Sequence, residues 1–196
     1  MKLALFLTLL RVFISPLFLV VYLYHQELGI SLIAMPYYLL GLLIICELTD
    51  IFDGFVARRF HGVTDLGKIL DPMADSIVRS SMMLTFTQGV VKLPLLLVLI
   101  FIYRDAIIST LRTLCALKGV ALAARQSGKI KAVLQAVVIF MIVLLIIPYS
   151  MGKLELETLR AVSFYSVLIA AIYTLCSGVE YLIINRDSIK QSWMKT

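Results

Sequence analysis

Six apolar segments, each long enough to cross a bilayer as a helix, dominate this sequence. They lie near residues 3–24, 30–57, 68–88, 92–117, 129–150 and 157–184. A spanning helix needs roughly 20 mostly apolar residues, and a helix satisfies its own backbone amides in lipid. With 61% hydrophobic and 15% charged residues, the chain is unlike a soluble domain. The sequence therefore predicts an all-α polytopic membrane protein, a bundle of about six transmembrane helices, forming a single domain over residues 1–196.

The basic residues indicate how such a bundle is oriented. With six spans, one side of the membrane receives the N-terminus, the loops at 58–68 and 118–131, and the C-terminal tail, which together hold most of the lysines and arginines. The opposite loops hold only Lys92, Lys153 and Arg160. The positive-inside rule then places both termini on the cytoplasmic side. The net charge of +6 fits contact with anionic lipid headgroups, and no soluble module is present to organise the basic residues for nucleic acid.

Four aspartates at helical spacing are the least expected residues in so apolar a chain. Asp50 and Asp53 lie near the end of the second segment, and Asp71 and Asp75 lie near the start of the third. At roughly 100° per residue, each pair shares one face of its helix. Two adjacent helices joined by a short loop would present all four carboxylates to one another. Because an ionised carboxylate at membrane depth costs several kcal/mol, each should pair with or bind a cation.

These carboxylates predict a site for hard divalent cations. The set contains neither His nor Cys, and oxygen ligands suit Mg²⁺ or Mn²⁺. Two such ions about 4 Å apart are a known device for in-line displacement at phosphorus. Gly54 would let a phosphate approach the helix backbone, and Arg58 offers a forked donor for its oxygens. The sequence thus indicates phosphoryl-type transfer at the membrane surface, the alternative being aspartates that only balance nearby Arg and Lys residues.

The aspartates belong to a longer pattern, D-x2-D-G-x2-A-R followed after eight residues by G-x3-D-x3-D. Every fixed position is filled, by Asp50, Asp53, Gly54, Ala57, Arg58, Gly67, Asp71 and Asp75. The chain therefore resembles the CDP-alcohol phosphatidyltransferases. The stretches "LTLLRVFISPLF", "YRDAIISTLRTLCALKGV" and "SGKIKAVLQ" resemble one branch, the phosphatidylglycerolphosphate synthases. That branch transfers phosphatidyl from CDP-diacylglycerol to sn-glycerol 3-phosphate and releases CMP.

The resemblance implies roles for the matched residues. Asp50, Asp53, Asp71 and Asp75 would hold two metal ions, Mg²⁺ or Mn²⁺. Asp71 and Asp75 would be catalytic, with Asp75 as the base that takes the proton of the acceptor hydroxyl. The CDP end of the donor would contact the glycines and their neighbours in the motif, namely Asp50, Asp53, Gly54, Ala57, Arg58 and Gly67. The resemblance also implies a homodimer in the bacterial inner (cytoplasmic) membrane, with the active site facing the cytoplasm.

A second cluster of charged residues suits the acceptor. Arg104 and Arg112 are eight residues apart, so both lie on one face of the fourth segment, and Lys129 and Lys131 begin the fifth. Glycerol 3-phosphate is a dianion, and these four residues could hold its phosphate. The alternative for the lysines is ordinary flanking of a membrane span. Further candidates are Thr8 and Arg11, which match the first helix of the branch, and Arg79, one turn beyond Asp75.

The chain departs from the branch at several positions. The family usually has Asn and Pro where Lys2 and Ala4 stand, Lys where Ser76 stands, Glu where Asp105 stands, and Thr where Ala132 stands. We expect Arg79 to supply the cation that is missing at position 76. These departures leave the reaction class intact and bear on the choice of acceptor.

Other functions stay open at this point. Within the family, the acceptor could be inositol phosphate, inositol, serine or phosphatidylglycerol. From a different class, a divalent-cation transporter could use the carboxylates as a permeation site. A transporter should carry acidic residues near mid-membrane on several helices, and segments four to six offer almost none. A membrane scaffold has no need of a costly carboxylate cluster.

Overall fold

Six α-helices account for the regular structure of the described residues. The computed structural model describes the backbone of residues 2–59, 65–119, 125–187 and 189–190, and side chains within those ranges except at 2–5, 7, 51, 53–59 and 65–72. The helices are α1 (Lys2–Leu23), α2 (Met35–Arg59), α3 (Asp65–Thr85), α4 (Leu95–Leu117), α5 (Gln126–Ser150) and α6 (Leu156–Ile184). The all-α prediction and the six helical segments are confirmed over these ranges.

Two helices begin later than the apolar pattern suggested, and proline explains both differences. The apolar run from residue 30 first forms a turn in which the Ala34 amide donates to the Ser31 side chain at 3.2 Å. Helix α2 then begins at Met35, with Pro36 in its first turn, where a missing N–H costs nothing. Pro94 precedes α4 in an extended conformation, with ψ of 125°, and so sets the start of that helix at Leu95.

The helices form a closed ring. Going round it, α1 packs on α2, α2 on α5, α5 on α6, α6 on α4, α4 on α3, and α3 back on α1, while α3 also touches α5 across the middle. Contacts between distant residues fix which ends coincide. At one end, Tyr22 of α1 meets the turn between α3 and α4, and Arg160 of α6 donates to the Val90 carbonyl at 2.9 Å. The opposite end therefore gathers the end of α2, the start of α3, the end of α4 and the start of α5.

The outer surface of the ring is apolar. Leu96, Leu117 and Phe13 are 77%, 80% and 73% exposed, which is costly for a protein surrounded by water. Two helices, Gln126–Ser150 and Leu156–Ile184, are individually long and apolar enough to span a bilayer, and a shorter apolar helix covers Thr8–Leu23. Helices α2 and α3 carry the aspartates, and α1 and α4 carry arginines, which lowers their mean hydropathy. The described residues thus give a helical bundle with membrane-capable helices.

Tyr22 ties the end of α1 to the turn after α3. Its hydroxyl donates to the Gln88 carbonyl at 3.2 Å and accepts from the Val91 amide at 3.2 Å, and its ring packs edge-on against Phe86. Gly89 has φ of +65°, and a Cβ there would lie 2.7 Å from the Tyr22 ring. Glycine is therefore required at this position both for its conformation and for the space it leaves.

We expect Tyr22→Phe to destabilise the bundle by about 1–3 kcal/mol, because the buried Val91 amide would lose its acceptor. Thermal unfolding in detergent measures the loss. Tyr165→Phe is the matched control, since Tyr165 is 62% exposed and its variant should unfold at the wild-type temperature. Equal melting temperatures for the Tyr22 variant and the wild type would contradict the assigned hydrogen bond.

Candidate active site

A buried arginine joins two of the four aspartates. Nη1 of Arg11, on α1, donates to Oδ1 of Asp50, on α2, and to Oδ1 of Asp75, on α3, the latter at 2.8 Å. The Arg11 side chain is only 4% exposed, while those of Asp50 and Asp75 are 51% and 26% exposed. The prediction that the second and third segments present carboxylates to one another is confirmed for this pair.

The local sequence explains why these groups meet. Arg11 lies one turn after Thr8 on the inward face of α1, and both side chains are buried. Helices α1 and α2 run in opposite directions, as do α2 and α3, so the middle of α1 faces the second half of α2 and the first half of α3. A lone buried guanidinium is costly in an apolar bundle, and two carboxylates from different helices offset that cost.

Asp50 and Asp75 open onto a cavity between α1, α2, α3 and α5. Its polar end is lined by Arg11, Glu47, Asp50, Asp75 and Arg79. Its deeper end is apolar and is lined by Leu43, Val78, Met82, Ile139 and Phe140. Nη2 of Arg79 lies 3.6 Å from Oδ2 of Asp75. Three carboxylates against two guanidinium groups leave the polar end with one net negative charge.

The chemical groups that line the polar end of this cavity are suited to binding divalent cations. Asp50 and Asp75 already share one cation, Arg11, and all their ligating atoms are oxygens, which Mg²⁺ and Mn²⁺ prefer. Asp53 and Asp71 lie in α2 and α3 at three and four residues from these two, but their side chains are outside the described set. Among the side chains that are described, no group of three or more His, Cys, Asp or Glu is close enough to hold a metal.

A second charged cluster lies between α4, α5 and α3. Nζ of Lys131 lies 2.6 Å from Oδ2 of Asp105, and Nη1 of Arg104 lies 3.1 Å from Oδ1 of the same carboxylate. The three side chains are between 4% and 13% exposed. Two cations on one carboxylate leave this cluster with one net positive charge, which suits an anionic ligand.

Helix α6 completes the surroundings of the two arginines. Nη2 of Arg104 lies 3.5 Å from Oγ of Ser177, and a Cβ on Gly178 would lie 3.2 Å from Cγ of Arg104. Nε of Arg112 donates to the Tyr181 hydroxyl at 3.1 Å, and the guanidinium carbon lies 5.2 Å from the centre of that ring. Both arginines thus contact α6, which agrees with the prediction that they share one face of α4.

Ser76 links the negative cavity to the positive cluster. Its Oγ donates to Oδ2 of Asp105 at 3.1 Å, and it directly follows Asp75 on α3. Because Asp75 and Ser76 are consecutive on α3, the cavity and the positive cluster lie on adjacent faces of that helix.

The structure describes the side chains of some of the predicted site residues and not of others. Lys131 is buried in the positive cluster, whereas Lys129 is exposed at the start of α5. Arg79 lies 3.6 Å from Asp75, as expected for a cation near that carboxylate, and Thr8 is buried on α1 one turn before Arg11. Four residues predicted to bind CDP lie in helices, but their side chains are outside the described set: Gly54, Ala57, Arg58 and Gly67.

Sequence reasoning missed several partners of the site. Asp105 appeared only as a departure from the family pattern, although it gathers both cations and Ser76. Ser177, Gly178 and Tyr181 were not singled out, but their spacing on one face of α6 is a signal that helical periodicity could have found. Gln135, buried one turn after Lys131, was also missed.

Known proteins resemble this chain over nearly its whole length. Residues 1–176 match the CDP-alcohol phosphatidyltransferase family. A CDP-diacylglycerol–glycerol-3-phosphate 3-phosphatidyltransferase of Bacillus subtilis is 30% identical over 95% of this chain and 96% of its own length. Proteins of the same name from Rickettsia typhi and Shigella flexneri are 29% and 31% identical over 90% of this chain, and 92% and 90% of theirs.

The match extends from the first helix into the sixth, and it includes every fixed position of the aspartate motif. The geometry agrees with it, because two of those aspartates converge on one cation beside a buried cluster that favours anions. The chain belongs to the CDP-alcohol phosphatidyltransferase family.

Proposed function

We propose that this protein transfers the phosphatidyl group of CDP-diacylglycerol to sn-glycerol 3-phosphate, giving phosphatidylglycerol phosphate and CMP. The relatives named above carry this activity in their names. The observation that carries the proposal is the adjacency of Asp75 and the Asp105 cluster through Ser76. A small acceptor with a phosphate at one end and a hydroxyl at the other fits that pair of environments.

The proposal includes a polytopic protein that forms one domain over residues 1–196 in the bacterial inner membrane. The apolar outer surface supports this placement, as does the gathering of basic residues at the end of the bundle that holds the site. The active site then faces the cytoplasm, where glycerol 3-phosphate and CMP are soluble. Exposed apolar side chains on α4, including Leu96, Tyr103 and Ile107, leave a face on which a homodimer could form.

Asp75 is the candidate base of the reaction. It would take the proton of the terminal acceptor hydroxyl, whose oxygen then bonds to the lipid phosphorus while the bond to the CMP oxygen breaks. Arg11 and Arg79 flank Asp75 and would hold its carboxylate in position for the reaction. In this chain Arg79 would take the part of the lysine that the family usually has at position 76. The apolar end of the cavity would receive the start of the donor's acyl chains.

The aspartates would hold two divalent cations, Mg²⁺ or Mn²⁺, through Asp50, Asp53, Asp71 and Asp75. When bound, such ions neutralise the diphosphate of the donor and stabilise the charge that develops on the departing phosphate. Arg11 is a protein cation already in contact with two of the four carboxylates. Its position supports a site built to attract positive charge.

The positive cluster would bind the phosphate of the acceptor. Arg104 and Lys131 share the single charge of Asp105 and so retain one net positive charge for a ligand. Arg112, held against Tyr181, would add a second cation from the same side. Asp105 would position both Arg104 and Lys131, since its two oxygens contact them separately.

The test of the proposed reaction is CMP release from CDP-diacylglycerol by the purified protein in detergent with Mg²⁺ or Mn²⁺. Glycerol 3-phosphate should support release, whereas inositol phosphate, inositol, serine and phosphatidylglycerol should not. Release with one of those other acceptors alone would overturn the proposed acceptor. The absence of release with any of them would overturn the transferase proposal for this chain.

Asp75→Asn should lower turnover by about 100-fold or more, because the amide cannot accept the hydroxyl proton. Asp71→Asn should have an effect at least as large if Asp71 holds a cation. Both are measured as initial rates of CMP release. Asp187→Asn is the matched control, because Asp187 is 81% exposed and its variant should keep full activity. Turnover near the wild-type rate in the Asp75 variant would contradict its role as the base.

Lys131→Gln should raise the KM for glycerol 3-phosphate by about tenfold or more, since a charged hydrogen bond to the phosphate would be lost. The KM for CDP-diacylglycerol should stay the same. The same change at Lys129, which is exposed, provides the control and should alter neither value by more than about twofold. An equal rise of KM in both variants would contradict the separate placement of the two lysines.

A further inference from the structure

Gln135 is a buried amide with no apparent structural purpose. Its side chain is 0% exposed on α5. Neither its amide nitrogen nor its amide oxygen has a hydrogen-bond partner among the described residues. Buried polar groups in folded proteins are nearly always hydrogen-bonded, because an unpaired one loses its interactions with water and gains nothing in return. An apolar side chain of the same size would pack here at lower cost.

The position of Gln135 on α5 connects the two halves of the active site. Lys131 lies one turn before it and belongs to the positive cluster with Asp105. Ile139 lies one turn after it and lines the cavity that also contains Asp75. Residues four apart lie on the same face of a helix. Along α5, Gln135 therefore lies between a residue of the positive cluster and a residue that lines the cavity of Asp75.

The chemistry of the proposed acceptor supplies a partner for this amide. Glycerol 3-phosphate has a phosphate at one end, the reacting hydroxyl at the other, and a second hydroxyl on the carbon between them. If the phosphate lies at Lys131 and the terminal hydroxyl at Asp75, the middle hydroxyl lies between those groups. A hydroxyl both donates and accepts, and so does a carboxamide.

We infer that Gln135 binds the middle hydroxyl of the acceptor and makes the enzyme selective for acceptors that carry one. This inference rests on the proposed function. In the free protein the amide is left unpaired, which costs stability. The site is complete only when the acceptor is bound. A site built to hydrogen-bond a hydroxyl rejects analogues that lack it, because the buried polar group is then left unpaired.

A second unpaired polar group provides the control. Ser163 on α6 is also 0% exposed, and its hydroxyl lacks a partner within the described part of the chain. It precedes Ser177, the residue beside Arg104, by fourteen positions on α6, which corresponds to about 21 Å along a helix. Ser163→Ala therefore removes a buried, unpaired polar atom far from the proposed acceptor site.

The test compares two acceptors in the CMP-release assay, glycerol 3-phosphate and propane-1,3-diol monophosphate, which lacks the middle hydroxyl. The wild type should prefer glycerol 3-phosphate by about tenfold or more in kcat/KM. Gln135→Met should raise the KM for glycerol 3-phosphate by about tenfold and bring the preference close to one. Ser163→Ala should keep the wild-type preference.

Thermal unfolding in detergent without substrates separates this role from a structural one. Gln135→Met and Ser163→Ala should both unfold at or above the wild-type temperature, because neither would break a hydrogen bond of the free protein. A lower melting temperature for Gln135→Met would overturn the inference by showing that the amide is paired within the fold. An unchanged acceptor preference in that variant would also overturn it and leave the proposed function standing. Failure of the wild type to use glycerol 3-phosphate would instead overturn the proposed function, and this inference with it.

Discussion

The contact of one buried guanidinium with carboxylates from two other helices is the interaction on which the rest of this structure depends. Arg11 brings Asp50 and Asp75 together in a bundle whose interior is mostly apolar. Each of the three groups would be costly alone, and removing one would leave the others without compensation. The need to balance these charges therefore fixes how α1, α2 and α3 approach one another. It also places the carboxylates of Asp50 and Asp75 at the polar end of a cavity whose other end is apolar.

A second consequence is the separation of opposite charges over a short distance. The cavity of Asp75 is net negative, while the Asp105 cluster, reached through the adjacent Ser76, is net positive. We expect the first environment to favour cations and to accept a proton, and the second to favour a phosphate. An enzyme that joins a membrane-bound donor to a soluble phosphorylated acceptor needs this combination.

Much of this arrangement could be predicted from the sequence, because apolar length and helical spacing are local properties. All six helices were expected, and so was the facing of α2 and α3. The prolines at 36 and 94 set helix starts that the apolar runs alone did not define. The partners of Arg104 and Arg112 on α6 could not be predicted, because neither segment alone determines which distant helix it packs against.

The structural role of the departures from the family pattern also could not be predicted from the sequence alone. Ser76 and Asp105 each looked like an isolated exception in the sequence. In the structure Ser76 donates to Asp105 at 3.1 Å, so the two differences meet at one contact. The sequence also does not show that burying Gln135 is costly, because a single glutamine in an apolar segment does not reveal whether its amide has a hydrogen-bond partner. Only the structure shows that the Gln135 side chain is buried and that its amide lacks a hydrogen-bond partner among the described residues.

The central claim is that the motif's aspartates form a site for two divalent cations. Electron paramagnetic resonance of Mn²⁺ bound to the purified protein in detergent, with CMP present, tests it most directly. We expect about two Mn²⁺ ions per chain, with magnetic coupling of the kind that a two-metal site would give, and a loss of binding in Asp50→Asn and Asp75→Asn. No bound Mn²⁺, or binding that both variants retain, would contradict it.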